Sequence, residues 1–199
     1  EVPGAHGGRR EAHVGAFAVS VDVERLDGIA RSPDTKARVE QLRHDLGNPK
    51  TMLLGVDRLD YTKGIDVRLR AYTELLQEKR LDPNETVLVQ VATPSRENVD
   101  EYQRIRDDVE LIVGHANGSL GQIGAPAIHY VRNSLPIEEL VALYQAADIM
   151  LVTPLRDGMN LVCKEYVASR IDGDGTLVLS EFTGAARELP QSWLVNPYD

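Results

Sequence analysis

Cysteine occurs once in the 199 residues, at Cys163, so no intrachain disulfide can form and packing alone must hold the fold. No apolar run approaches the length of a membrane-spanning helix. The Gly- and charge-rich first residues contain no apolar signal core. Basic residues are in short supply, with 22 Lys and Arg against 31 Asp and Glu and a net charge of −9. That balance argues against sequence-independent nucleic-acid binding and against an anionic membrane surface, both of which need basic fields. Any anionic ligand has to be held by local Arg and Lys. The glycines form neither GxGxxG nor GxxxxGK[ST], so neither a dinucleotide fingerprint nor a P-loop is present. His115 and His129 each lack a Cys or acid at ligand spacing and are read as structural. No plausible site has a close carboxylate pair for a metal, and Asp172-Gly173-Asp174-Gly175 reads as a tight turn before a strand. The expectation is a cytoplasmic globular chain, or a piece of one, without nucleic-acid or membrane partners; oligomeric state is left open.

What the sequence does have is 42% apolar residues, enough for the core of one ordinary domain. Residues 1–13 show no periodicity and read as a loop or frayed edge. Val14 to Val21 is apolar and β-prone. A polar helical stretch begins at Asp22, restarts after Ser32-Pro33 and runs to about Leu46, with Val39, Leu42 and Leu46 as a narrow apolar stripe. Residues 14–49 therefore read as a strand and helical linker. From Lys50 strands and helices alternate: strands at Thr51 to Val56, Thr86 to Ala92, Ala127 to Val131, Asp148 to Thr153 and Thr176 to Leu179, with a short β-like piece at Leu194-Val195-Asn196. Between them, Ile65, Leu69, Tyr72 and Leu76 mark one helix face. Tyr102, Ile105, Val109 and Ile112 mark a helix from about Asn98, where Asn98 and Glu101 resemble a capping box. Leu140, Val141 and Tyr144 mark a third helix, with Pro136 suited to its first turn. Strands without polar alternation, each separated by one helix, predict a parallel sheet covered on both faces. The fold class is α/β, a Rossmann-like doubly wound sheet over residues 50–199.

Ligands of such sheets sit at the carboxyl ends of the strands, and three turns there carry chemistry. After the first strand come Arg58 and Lys63, two cations that can clamp a pyrophosphate, Arg as a planar fork and Lys as a point charge. The plainer alternative is that Arg58 pairs with Asp57 or Asp60 at the surface. After the second strand, Arg96 lies at the same edge. After the fourth comes Pro154 to Glu165, a turn opening a helical segment, in which Gly158 admits close backbone approach and free N–H groups can hold an anion. Asp157, Lys164 and Glu165 add polar groups there.

The segments GVDRLDYTKG, ATPSRE, LVTPLRDGMNLVCKEYVASR, LVLSEFTGAA and LVNPYD resemble the C-terminal half of the trehalose-6-phosphate synthase family, retaining glycosyltransferases with two domains of the GT-B type. The likeness runs from about Val14 to Asp199. It implies transfer of glucose from a nucleotide sugar, usually UDP-glucose, to glucose 6-phosphate, with no metal or other cofactor. Arg58 and Lys63 match the pair that neutralises the donor diphosphate. Asp157 matches the acid that binds a hydroxyl of the transferred glucose, and the backbone of Gly158, Met159, Asn160, Leu161 and Val162 matches the cap over sugar and phosphates. Glu165 matches the carboxylate on the ribose hydroxyls, and Arg96 an arginine on the acceptor's phosphate. Catalysis is thus expected from Arg58, Lys63 and Asp157. Cys163 stands where the family has alanine, and Ala18 where it commonly has proline. The resemblance implies an N-terminal domain as partner and weak donor binding without turnover by this chain alone. Two alternatives compete: a related GT-B enzyme with another donor, such as a GDP- or ADP-sugar, or another acceptor, and a non-catalytic regulatory domain of the same fold.

Overall fold

The computed structural model describes residues 2–3, 9–10, 13–15, 19–95 and 99–199. Near the start, β1 (Val2–Pro3) and β2 (Arg9–Arg10) form a minimal antiparallel ribbon where only loop was expected. The β-prone stretch of Val14 to Val21 is not a strand in its described part: residues 14–15 and 19–21 are irregular, and Val14 is 98% exposed. Among the described residues it has no neighbouring strand, and an unpaired strand leaves its N–H and C=O groups without a ladder. Two helices follow. Asp22 caps α1 (Val23–Ala30) by accepting from the Arg25 N–H, and Ser32 caps α2 (Pro33–Asp45) by accepting from the Thr35 N–H. Both lie against the domain. Arg38 of α2 makes a bidentate contact with Glu139, and Leu26 and Ala30 of α1 pack on Val141.

The body of the chain alternates strand and helix: β3 (Thr51–Arg58), α3 (Ile65–Gln77), β4 (Thr86–Thr93), α4 (Asp100–Leu120), β5 (Ile128–Val131), α5 (Ile137–Ala146), β6 (Ile149–Val152), α6 (Val162–Ser169), β7 (Thr176–Ser180) and β8 (Trp193–Val195). The six strands pair in parallel in the order β5-β4-β3-β6-β7-β8. The chain runs outward from β3 to β5, crosses back to β6 beside β3, and runs outward again. This is the doubly wound order, with its switch point between β3 and β6.

Alternation along β3 divides the core. Met52, Leu54 and Val56 point to a layer with Val89, Met150, Val152, Leu179 and the apolar faces of α5 and α6. On the other side, Leu53 packs with Ile65, Leu69 and Tyr72 of α3 and Val109 of α4. Each fully buried Leu or Ile contributes about 1.5–3 kcal/mol. Every residue of β4 except Thr93 is buried, as a central parallel strand requires.

Some boundaries differ from the sequence reading. Pro136 sits just outside α5 at its N-cap. Helix α4 begins at Asp100 after Val99, with no side-chain cap, and Asn98 of the expected capping box lies outside the described residues. The last helix starts at Val162, so residues 154–161 are loop.

A candidate site at the switch point of the sheet

The loops that leave β3 and β6 are neighbours in space because their strands are neighbours in the sheet. After β3 the chain makes a single 3-10 turn, Tyr61–Lys63, capped by Asp60, whose Oδ1 accepts from the Thr62 N–H at 2.9 Å and the Thr62 hydroxyl at 2.8 Å. Gly64 then takes φ 61°, a left-handed conformation natural to glycine, and a Cβ there would come within 3.0 Å of the Thr153 carbonyl oxygen. This close approach lets the Thr62 carbonyl accept from the Leu155 N–H at 2.8 Å, stitching the two loops together.

The loop after β6 is held from its other side. The Asp157 N–H donates to the Phe182 carbonyl, the Gly184 N–H to the Asp157 carbonyl, and the Ala185 N–H to the Met159 carbonyl. Asn160 adopts φ 71°, and its Oδ1 accepts from the Cys163 N–H at 3.0 Å, so this side chain caps the start of α6. The N–H groups of Gly158, Asn160, Leu161 and Val162 have no acceptor among the described residues. Gly158 is exposed, with open space where a side chain would be.

Across the switch point Lys63 Nζ meets Asp157 Oδ2 at 2.6 Å, with 12% and 15% of the two side chains exposed. Burial pushes the Asp157 carboxyl up, but the Lys63 ammonium, the Met159 N–H and the Asn160 amide outweigh it and hold the carboxyl below its ordinary value. Asp60 is likewise held low: burial raises it, while Thr62, Tyr102 and Lys63 lower it more. Arg58, at the end of β3, is exposed and makes no hydrogen bond or ion pair among the described residues. The surface pairing of Arg58 with Asp57 or Asp60 does not form, because Asp57 is taken by Arg68 and Asp60 by Thr62.

Glu165 lies on the first turn of α6, half-buried, and its Oε2 accepts from the Tyr144 hydroxyl at 2.9 Å. Lys164, expected to add polar chemistry, turns away to Glu188 at 2.8 Å. Cys163 is fully buried, and burial pushes its thiol up to about 11, so it is an inert small apolar residue. His129 is half-buried, and burial lowers its pKa, favouring the neutral ring of a structural histidine. Arg96 and Ala18 lie outside the described residues.

The structure also shows a buried polar network that sequence reasoning did not single out. Arg68 of α3 reaches Asp57 at 2.6 Å, Gln90 at 2.9 Å and the Thr153 hydroxyl at 3.0 Å, linking the carboxyl end of β3, the middle of β4 and the residue after β6. Gly55 makes room for it, since a Cβ there would lie 2.5 Å from Arg68 Nη1. The signal was an arginine between Ile65 and Leu69 on an otherwise apolar face, opposite a glutamine in an apolar strand. Gly184 was also missed, although a Cβ on it would fall 2.2 Å from the Gly158 carbonyl oxygen. Among the described residues no three His, Cys, Asp or Glu side chains gather as metal ligands.

Residues 4–199 match the model of glycosyltransferase family 20, so the likeness begins ahead of Val14. Curated trehalose-6-phosphate synthases are close in sequence. That of Mycolicibacterium vanbaalenii is 61% identical over 191 residues, 96% of this chain and 39% of its own length. That of Mycobacterium tuberculosis is 58% identical over 192 residues, 96% of this chain and 38% of its own. Among solved structures, an alpha,alpha-trehalose-phosphate synthase (UDP-forming) from Burkholderia xenovorans in complex with glucose-6-phosphate superposes with TM-score 0.85 at 36% identity, over 92% of this chain and 40% of its own. An E. coli structure bound with UDP-2-fluoro glucose does so with TM-score 0.83 at 39% identity, over 90% of this chain and 40% of its own. The chain thus spans about two fifths of the relatives that it matches.

Proposed function

The chain belongs to glycosyltransferase family 20, and from that premise we propose that it is the donor-binding half of a retaining glucosyltransferase that makes trehalose 6-phosphate from UDP-glucose and glucose 6-phosphate. One observation carries the reading: on the adjacent loops that leave β3 and β6 stand an arginine whose side chain has no partner among the described residues, a lysine bound to an aspartate, and backbone N–H groups with no acceptor among the described residues. Residues 50–199 form the nucleotide-sugar domain, and residues 14–49 connect it to the N-terminal half that supplies most of the acceptor contacts. In this proposal the compartment is the cytoplasm; among the described residues no helix is long and apolar enough to cross a membrane.

In this reading Arg58 and Lys63 face the donor diphosphate, and Asp157 takes a hydroxyl of the transferred glucose. The backbone from Gly158 to Val162, with the unengaged N–H groups of Gly158, Asn160, Leu161 and Val162, caps sugar and phosphate, Glu165 takes the ribose hydroxyls, and Arg96 binds the acceptor's phosphate. As the bond from the anomeric carbon to the diphosphate breaks, negative charge builds on the leaving oxygen. Fixed cations and N–H dipoles oppose that charge most strongly at that moment, which is why they accelerate the step rather than merely bind. The acceptor hydroxyl then attacks the anomeric carbon from the face that the diphosphate leaves, its proton passing to the departing diphosphate oxygen, and configuration is kept.

Calorimetric titration of the chain with UDP, GDP and ADP tests the reading. UDP is expected to bind, and Lys63→Ala to weaken it by about tenfold or more, as for loss of a charged hydrogen bond. Preference for GDP or ADP would reassign the donor, and no binding by any of the three would sink the donor site.

A further inference from the structure

We propose that Tyr144 is a positioning residue for the donor's ribose, acting through Glu165; the inference rests on the ribose assignment of Glu165 above. Tyr144 is fully buried in the core layer beneath α5 and α6, edge-on to Tyr166 at 6.3 Å between ring centroids. A phenylalanine would fill that volume equally well. The hydroxyl is what differs, and its partner is the Glu165 carboxylate, at 2.9 Å. A buried phenol needs a partner, and this one takes a carboxylate that is itself only half-buried.

The consequence falls on Glu165. Its Oε2 is tied to Tyr144, and its Oε1 makes no hydrogen bond among the described residues. A glutamate in the first turn of a helix is otherwise free to rotate about three bonds. Fixing one oxygen turns the carboxylate into an oriented acceptor, with Oε1 and the remaining lone pair of Oε2 available to two neighbouring hydroxyls. Vicinal hydroxyls of a ribose are a matching pair of donors. Burial and the nearby Glu165 charge push the Tyr144 phenol well above its ordinary value, so it stays a donor at any working pH.

The test is a ratio of affinities, which a structural role would not change. UDP and 2′-deoxy-UDP are titrated by calorimetry into the native chain and into Tyr144→Phe, Glu165→Gln and, as a control, Tyr166→Phe, which removes a buried phenol bonded instead to the Thr176 carbonyl. The native chain should prefer UDP by about tenfold or more, as for a hydrogen bond to a charged group. Tyr144→Phe should lose most of that preference while its affinity for 2′-deoxy-UDP holds, and Tyr166→Phe should keep the preference. If Glu165→Gln abolishes the preference and Tyr144→Phe retains it, Tyr144 does not position the carboxylate. Should Tyr144→Phe weaken both ligands equally, its role is structural and the proposal fails. Full preference in Glu165→Gln would remove the ribose assignment itself, and a native chain that binds neither ligand would remove the donor site with it.

Discussion

Lys63 and Asp157 are 94 positions apart, yet they share one charge-assisted hydrogen bond of 2.6 Å in which both side chains are largely withdrawn from water. The pair has a measurable signature in stability. In the native chain Asp157 is held below its ordinary value, so its contribution is present above the unfolded carboxylate value of about 3.9 and is lost as pH falls through the depressed one. In Lys63→Ala the ammonium is gone and burial, which raises the carboxyl, has less to oppose it. A carboxyl raised in the fold destabilises at neutral pH, and that penalty disappears as the pH drops. Both effects narrow the gap between native chain and variant on acidification. We expect Lys63→Ala to be less stable by about 2 kcal/mol at pH 7, under the 3–5 kcal/mol of a fully buried broken pair because both side chains keep some solvent. The gap should shrink by pH 3. Urea midpoints at pH 7, 5 and 3 measure it, and a gap that stays constant refutes the account. Each partner was legible in the sequence as a charge at a strand end. Their contact was not, because it depends on β3 and β6 being adjacent, and local pattern carries no information about strand order.

The loop between β6 and α6 holds its shape through its contacts, with little help from its own sequence preferences. Its Asp157 and Met159 carbonyls accept from Gly184 and Ala185, and the two backbones run so close that Gly184 has no room for a side chain. Gly184→Ala should therefore cost about 1–3 kcal/mol, the usual cost of overpacking. Gly158→Ala meets open space and should change stability by no more than about 0.5 kcal/mol, as for other surface substitutions. If Gly158 faces the ligand, UDP affinity falls in both variants. Thermal melts beside UDP titrations distinguish the two glycines, and equal stability loss would overturn the distinction. The turn from Pro154 into a helical segment was legible, but what ends it was not: Asn160 takes a left-handed backbone and its side chain accepts from the Cys163 N–H, so the helix starts at Val162. The strands were far easier to read, since Met52 to Val56 and Val87 to Ala92 are apolar runs, interrupted only by Gly55 and Gln90, that only a sheet covered on both faces can bury. Val14 to Val21 has similar composition without a partner among the described residues, and composition alone does not make a strand.

At the scale of the molecule, the described residues supply one wall of the proposed donor site. Sheet order brings the ends of β3 and β6 together, α3 braces them through the Arg68 network, and residues 182–185, which follow β7, pin the outer loop, but Arg58 and Gly158 are exposed to solvent. Transfer needs more than a held donor. The acceptor hydroxyl has to be placed against the anomeric carbon and water kept away, and that placement supplies a large part of any bimolecular rate enhancement, about 7–11 kcal/mol in well-oriented cases. The chain covers about two fifths of its relatives, and we assign most of the acceptor placement to the remainder. The expected behaviour is therefore a division of function: UDP binds to this chain through Arg58 and Lys63, while UDP-glucose and glucose 6-phosphate supplied together give no trehalose 6-phosphate. A coupled assay for released UDP, run beside direct detection of the disaccharide phosphate, separates the outcomes. UDP release without disaccharide would mean that the donor bond breaks to water in an open site, consistent with a single wall. Disaccharide formed by the 199 residues alone would mean that the acceptor site lies within this chain, and the assignment of acceptor placement to the rest of the enzyme would fall.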